Sequence, residues 1–377
     1  VPRVAVVYNS GMSDFPEVLF KDHTSEGLCN RLAEYGVTPR LARRLQAIVL
    51  QRRDGEVPTQ LSETPRRVLE AVRRQTRVPR LTLLEKVVSS ADGFTKYLFR
   101  GDGPEPFETV RIPLVHRPGD EKYIVCVSSQ VGCAMGCAFC ATGKLGFRRN
   151  LATWEIVDQV IHVRDDSPHP VRGVVAMGMG EPFLNYDRVM RAAEVLSEPC
   201  GVAIEAKAIT ISTVGIVPMI RRFTAERRPY RLIVSLTSAD PARRRELLPV
   251  VESTYSLADL MNAVRQYHEA TGRRVTLAWT LIRGVNTRPE DARRIAELTA
   301  GLPVQMDLID VNDASGQFLP PADDERNAFH DALTAELGMP VVRRYSGGQD
   351  IRGGCGMLAG TSARVVNPSP GPQAGAS

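Results

Sequence analysis

Long apolar stretches are missing from this chain. No nonpolar run reaches the roughly 18 residues that a membrane-spanning helix needs, so no helical span is expected. The opening VPRVAVVYNSG lacks a basic stretch followed by a long apolar one, and no secretory signal is expected there. Histidine is scarce, and the six present form no ligand cluster. Cysteine is also sparse: seven, an odd number, with four packed into residues 126–140. Such clustering argues against a disulfide scaffold and makes a reducing cytoplasm the expected setting.

Lysine is absent where positive charge is densest. Residues 31–80 hold twelve arginines and five acidic residues, an excess of seven positive charges in a chain whose net charge is +5. The remainder is therefore slightly acidic. A block built only of arginine suits a phosphate backbone, because the guanidinium fork grips phosphate and is weakly hydrated. A solvated helical face is the alternative.

With 43% hydrophobic residues and 24% charged, 377 residues can bury a sizeable core, as one large α/β domain with additions or as two to three domains. Residues 1–81 read as a helical, arginine-rich accessory domain. TSEGLCNRLAEYG, TPRLARRLQAIVLQRR and TPRRVLEAVRRQ each have a cap or Pro near the first turn. Residues 82–120 read as a small β extension, with an Asp92-Gly93 turn and a second turn at HRPGDEK. From 121 to 360, six apolar runs alternate with five helical segments. The runs are YIVCVSS, RGVVAMGMG, AITISTVG, RLIVSLTS, RVTLAWTLI and VQMDLIDVN. That alternation predicts α/β architecture with a parallel sheet: a partial TIM-like (β/α)6 barrel with its site at the strands' C-terminal ends. A doubly wound open sheet is the alternative. The tail, 361–377, is expected to be disordered.

Cys133, Cys137 and Cys140 follow the first of these runs at Cys-x-x-x-Cys-x-x-Cys spacing. Three thiolates in one tight loop can hold three irons of a cubane cluster and leave the fourth iron open. Structural zinc with Cys126 as fourth ligand is the rival, although zinc favours paired Cys-x-x-Cys units or Cys/His mixtures. Upstream, Glu108 in FETVRIPLV shares strand parity with Val110, Ile112 and Leu114. A carboxylate on such an apolar face is expected to be a weaker acid than usual, as a general base needs.

The cysteine spacing, with Phe139 before the last cysteine, resembles the radical S-adenosylmethionine signature. The wider string SSQVGCAMGCAFCATGKLGFRRNLATWEIVDQV resembles one branch, the RlmN/Cfr family of RNA adenine methyltransferases, and is closer to RlmN. MGMGEPFLNYDRV, ITISTVGIVP, IVSLTSADPARRRELLPV and DIRGGCGML extend the likeness across about residues 24–360.

The resemblance implies a [4Fe-4S] cluster on Cys133, Cys137 and Cys140, with S-adenosylmethionine used twice per turnover. It implies methylation of adenine carbon 2 in 23S rRNA, and also in tRNA. The same chemistry at carbon 8, or on a small molecule or peptide, is the alternative. In that family a protein cysteine, here matched by Cys355, takes a methyl group from one S-adenosylmethionine. A radical made from a second molecule removes hydrogen from the S-methyl group, which then adds to the base. Gly353, Gly354 and Gly356 surround Cys355 as a mobile loop would require. Cys126 matches the thiol that resolves the adduct by forming a disulfide, and Glu108 matches the base. Gly180 and Glu181, then Ser212, Ser235, Thr237 and Asn312 at later strand ends, match cofactor-binding positions. A flavodoxin or ferredoxin donor, a monomer and no membrane partner are also implied. Four positions depart from the family: Thr237 where His is usual, Gly347 for Arg, Met357 for Gln, and DVND for PFNP. The last brings Asp310 and Asp313 beside the mouth, where they are expected to oppose RNA phosphate.

Overall fold

A computed structural model of the chain describes residues 18–53, 55–114, 119–313 and 315–361. The opening stretch read for a signal, the first three residues of the HRPGDEK turn and the tail from 362 lie outside the described residues. A short strand, β1 (Val18–Leu19), precedes three helices: α1 (Ser25–Leu32), α2 (Pro39–Gln51) and α3 (Arg66–Gln75). Thr24 caps α1 by accepting from the Gly27 N–H, and Thr38 caps α2 from that of Leu41. Leu41, Leu45 and Val49 repeat every four residues and are buried; Val68, Leu69 and Val72 do the same for α3. Arg40, Arg43, Arg66, Arg67, Arg73 and Arg74 are left exposed. β2 (Thr76–Arg77) returns to pair with β1.

The period then changes to two. β3 (Thr82–Val88), β4 (Thr95–Arg100) and β5 (Phe107–Leu114) form an antiparallel meander turning at Asp92-Gly93. β5 pairs antiparallel with β6 (Lys122–Cys126), so the meander continues the barrel's sheet rather than forming one of its own. β7 (Gln130–Gly132) and β8 (Phe147–Asn150) make a separate antiparallel ribbon that brackets the cysteine loop and α4 (Ala141–Lys144).

The β/α units follow: α5 (Thr153–Asp166), β9 (Val171–Ala176), α6 (Tyr186–Ser197), β10 (Ile209–Thr213), α7 (Val217–Ala225) and β11 (Arg231–Ser235). Next come α8 (Pro241–Leu247), α9 (Pro249–Thr254), α10 (Leu257–Thr271) and β12 (Val275–Leu281). α11 (Pro289–Leu298), β13 (Val304–Asp310), α12 (Asp323–Leu337) and β14 (Val341–Arg344) complete the chain.

The sheet runs β14-β13-β12-β11-β10-β9-β6-β5-β4-β3, parallel from β14 to β6. A doubly wound sheet reverses its strand order at a switch point, and this one never does. Right-handed crossovers in one direction collect the helices on one side, as in a barrel. β14 and β3 remain edges, so the barrel is partial. The six expected parallel strands are all present, and β14 is a seventh. The helices α8, α9 and α12 add to the five expected. Trp279 on β12 stacks on Phe329 of α12 with ring centroids 6.1 Å apart, sealing the far end of the core. Among the described residues no helix is long and apolar enough to cross a membrane.

Candidate active site

The cysteine loop hangs between β7 and β8 at the C-terminal end of the sheet. The Cys133 N–H donates to the Gly146 carbonyl (3.1 Å) and the Cys140 N–H to that of Cys137 (3.1 Å). Cys133 and Cys137 are buried and Cys140 half-buried. Burial pushes the Cys133 thiol up to about 12 and holds Cys137 well above the usual thiol range, with the neighbouring thiols adding to both. Thiols so disfavoured as anions give up their protons to a metal that compensates the charge. Among the described residues no three His, Cys, Asp or Glu side chains gather closely enough to hold one ion, whereas a cube takes each thiol at a separate corner. The donor set fits the cluster.

The loop carrying Cys355 lies against this one. The Ala141 N–H donates to the Gly356 carbonyl (2.7 Å), and the Thr142 hydroxyl to that of Leu358 (2.6 Å). Gly356 has φ +85°, a backbone state that any side chain would strain. Cys355 is exposed, and the surrounding protein and then Cys140 raise its thiol. Cys126 ends β6 and is buried, which pushes it up to about 12. Cys355 is the charge that adds to this shift, and no cluster cysteine contributes.

Glu108 is 1% exposed on β5, an interior strand. Its surroundings differ from the apolar face expected. Lys96 of β4, itself 4% exposed, places its Nζ 2.9 Å from Oε1. Oε2 accepts from the Ala359 (2.7 Å) and Gly360 (2.9 Å) N–H groups. The carboxylate thus anchors the segment just beyond Cys355, and its neighbours are a cation and two donors.

Gly180 has φ +100°, and a Cβ there would lie 2.5 Å from that of Gln130. Only glycine lets this turn close on β7. Glu181 beside it is buried, accepting from the Phe183 (3.0 Å) and Val214 (3.0 Å) N–H groups. Burial raises it to about 7 against those bonds. Ser212 is buried on β10 and Ser235 half-buried at the end of β11. Thr237 has φ +56° and a buried hydroxyl without a protein partner. A strained β-branched residue with an orphaned hydroxyl marks a place where a ligand supplies the missing bond.

Asn312 is differently employed. Its Nδ2 donates to Ser346 Oγ (2.8 Å) and the Cys355 carbonyl (3.4 Å), and its Oδ1 accepts from Gln349 (2.9 Å). These bonds hold the Cys355 loop. The Cys355 N–H in turn donates to Ser346 Oγ (3.0 Å).

The expected acidity of DVND is corrected by its partners. Asp310 pairs with Arg326 (2.9 Å), and Asp313 with Lys144 (3.3 Å) from the cysteine loop. Gly347 is also explained: a Cβ there would lie 2.2 Å from Asp92 Oδ2, whose carboxylate accepts from Tyr345 and the Gly348 N–H. Lys96, Ser346 and Asp92 are site residues that sequence reasoning missed. Each reaches its partner across a strand pair or from a distant loop, so no local spacing signals it.

This geometry, three thiols on a strand-end loop with a carboxylate and polar side chains at successive strand ends, defines a radical S-adenosylmethionine site. Residues 127–298 match the Radical SAM superfamily. A "Probable RNA methyltransferase" of Myxococcus xanthus is 48% identical over 82% of this chain and 84% of its own length. The "Dual-specificity RNA methyltransferase RlmN" of Syntrophotalea carbinolica is 40% identical over 78% of the chain and 77% of its own. The crystal structure of a radical SAM methyltransferase from Sphaerobacter thermophilus superposes with TM-score 0.82 at 35% identity, covering 91% of this chain and all of that one. The chain belongs to the RlmN-type family of radical S-adenosylmethionine methyltransferases.

Proposed function

We propose that the protein methylates carbon 2 of an adenine in 23S rRNA, and also in tRNA, through an S-methylcysteine relay on Cys355. The observation that supports this reading is that the loop carrying Cys355 is bonded to the cysteine loop through Ala141 and Gly356. The names of the relatives support RNA as substrate. Cys133, Cys137 and Cys140 would hold the cluster, which supplies one-electron chemistry at S-adenosylmethionine. Glu181 and the free hydroxyl of Thr237 would orient that molecule.

Cys355 accepts the methyl group of one S-adenosylmethionine, and a second is spent on activating that methyl for addition to the base. Glu108 takes the proton from the adduct carbon, with Lys96 neutralising the carboxylate until then, and the adduct's unpaired electron would return to the cluster held by Cys133, Cys137 and Cys140, leaving a closed-shell thioether. Cys126, as thiolate, attacks the Cys355 sulfur. The sulfur–carbon bond breaks, its electron pair stays with the new methyl carbon, which takes up a proton, and a disulfide remains for an external thiol to reduce.

With anaerobically reconstituted protein, S-adenosylmethionine, reductant and 23S rRNA, digestion and mass spectrometry are expected to show 2-methyladenosine. Cys355→Ala is expected to abolish it. Full methylation by that variant refutes the relay; 8-methyladenosine as product overturns the carbon-2 assignment alone.

A further inference from the structure

One motif that the site does not use is SADPARRRELLPV, which forms α8 and α9. These two helices lie over the cysteine loop. The Ala138 N–H donates to the Leu247 carbonyl at the end of α8 (3.0 Å), and Gly136 faces Pro249 and Val250 of α9. Inside this cover Arg244 and Glu252 are buried as an ion pair, their side chains 1% and 3% exposed. Arg244 Nε lies 3.1 Å from Glu252 Oε2, but the N–H is not aimed at it, and neither atom has another hydrogen-bond partner. The rest of the guanidinium donates to the Val214 (2.8 Å) and Leu236 (3.4 Å) carbonyls. Val214 is the residue whose N–H holds Glu181.

A buried ion pair is a poor source of stability: desolvating two charges costs about what their attraction returns, and well-packed apolar residues do as well. Its imperfect geometry here makes that case weaker still. What a buried pair does supply is a fixed dipole in a medium of low dielectric. The guanidinium end belongs to α8, whose Leu247 carbonyl holds the N–H of Ala138 next to Cys137. Cluster potentials respond to net charge and hydrogen bonding around the thiolates.

We propose that the Arg244–Glu252 pair sets the reduction potential of the cluster, with Arg244 favouring the reduced state and Glu252 opposing it. Arg244 touches no reacting atom and acts through Cys137. The proposal rests on the cluster assignment but not on the RNA substrate or the relay.

The test is an EPR-monitored redox titration of anaerobically reconstituted full-length protein without RNA, with iron and sulfide counted in each sample. Arg244→Gln is expected to shift the midpoint potential negative, and Glu252→Gln to shift it positive. The double variant is expected to return close to the parent value, and Arg244→Lys, which keeps the charge, to stay there. Loss of packing alone would not give opposite signs that cancel. Unchanged potentials in iron-loaded single variants, or shifts of the same sign, overturn the proposal. Should Arg244→Gln not take up iron, Glu252→Gln and Arg244→Lys decide between them: a positive shift in the first with none in the second supports it, and no shift in the first overturns it. A parent protein that binds no iron under any condition refutes the cluster assignment itself, a different failure.

Discussion

Glu181 shows how one buried carboxylate couples the site to pH. Burial raises it to about 7, and the Phe183 and Val214 N–H groups only partly offset that. A carboxylate whose folded pKa lies above its unfolded value of about 4.5 adds stability below the unfolded pKa. That contribution is lost as pH rises through the folded pKa. Between pH 5 and pH 8 the parent protein is therefore expected to lose on the order of 2 kcal/mol relative to Glu181→Gln, which carries no such charge. Urea unfolding of the iron-free forms at both pH values measures the difference, and parallel pH profiles would remove Glu181 as its source. Glu108 is the contrasting case. It is as deeply buried, but Lys96 stands opposite, so two glutamates of one site meet different environments.

At the scale of elements, the proposed relay requires a short loop held without being locked. Asn312, just past the end of β13, makes three contacts with that loop, and Ser346 joins two of its ends. Each such bond contributes about 1 kcal/mol. Asn312→Ala is thus expected to speed hydrogen exchange in the peptide spanning 345–360 by tenfold or more, with the protection of β9–β12 unchanged. Equal exchange in both proteins would mean that the Ala141 and Thr142 bonds alone fix the loop.

The barrel was legible because strands buried on both faces read as continuous apolar runs, and the helices between them as stripes. β14 was not, because VVRR is too short and ends in two exposed arginines. α8 and α9 were hidden for another reason: PARRREL carries no apolar stripe and Pro249 separates the two helices. The cysteine loop announces itself by spacing. Lys96 opposite Glu108 is brought into place only by pairing across the sheet, and Asp92 under Gly347 only by the meeting of two loops far apart in the chain, neither of which a local pattern encodes.

For the whole molecule the decisive property is where charge is left unpaired. Near the mouth Asp310 and Asp313 are neutralised by Arg326 and Lys144. In the helical segment Arg40 and Arg66 have acidic partners in Glu63 and Glu70, but these exposed pairs are worth little. That segment is fixed to the barrel. Lys21 is buried against Asp158 of α5, and Arg164 of α5 donates to the Leu50 carbonyl (2.7 Å). A phosphate bound on α3 would therefore be held at a set position relative to the mouth. Arg67, Arg73 and Arg74 are exposed on that helix. If they grip RNA, each contact releases counterions, and the logarithm of affinity falls with the logarithm of salt by about 0.7 to 0.9 per contact. Replacing all three with Gln is expected to flatten that slope by about 2 units for a 23S rRNA fragment, measured by filter binding between 50 and 200 mM salt. The folded core should be untouched, because Val68, Leu69 and Val72 supply the buried face of α3. A slope unchanged by the triple substitution would leave these arginines as solvated surface and move the RNA contact elsewhere on the chain.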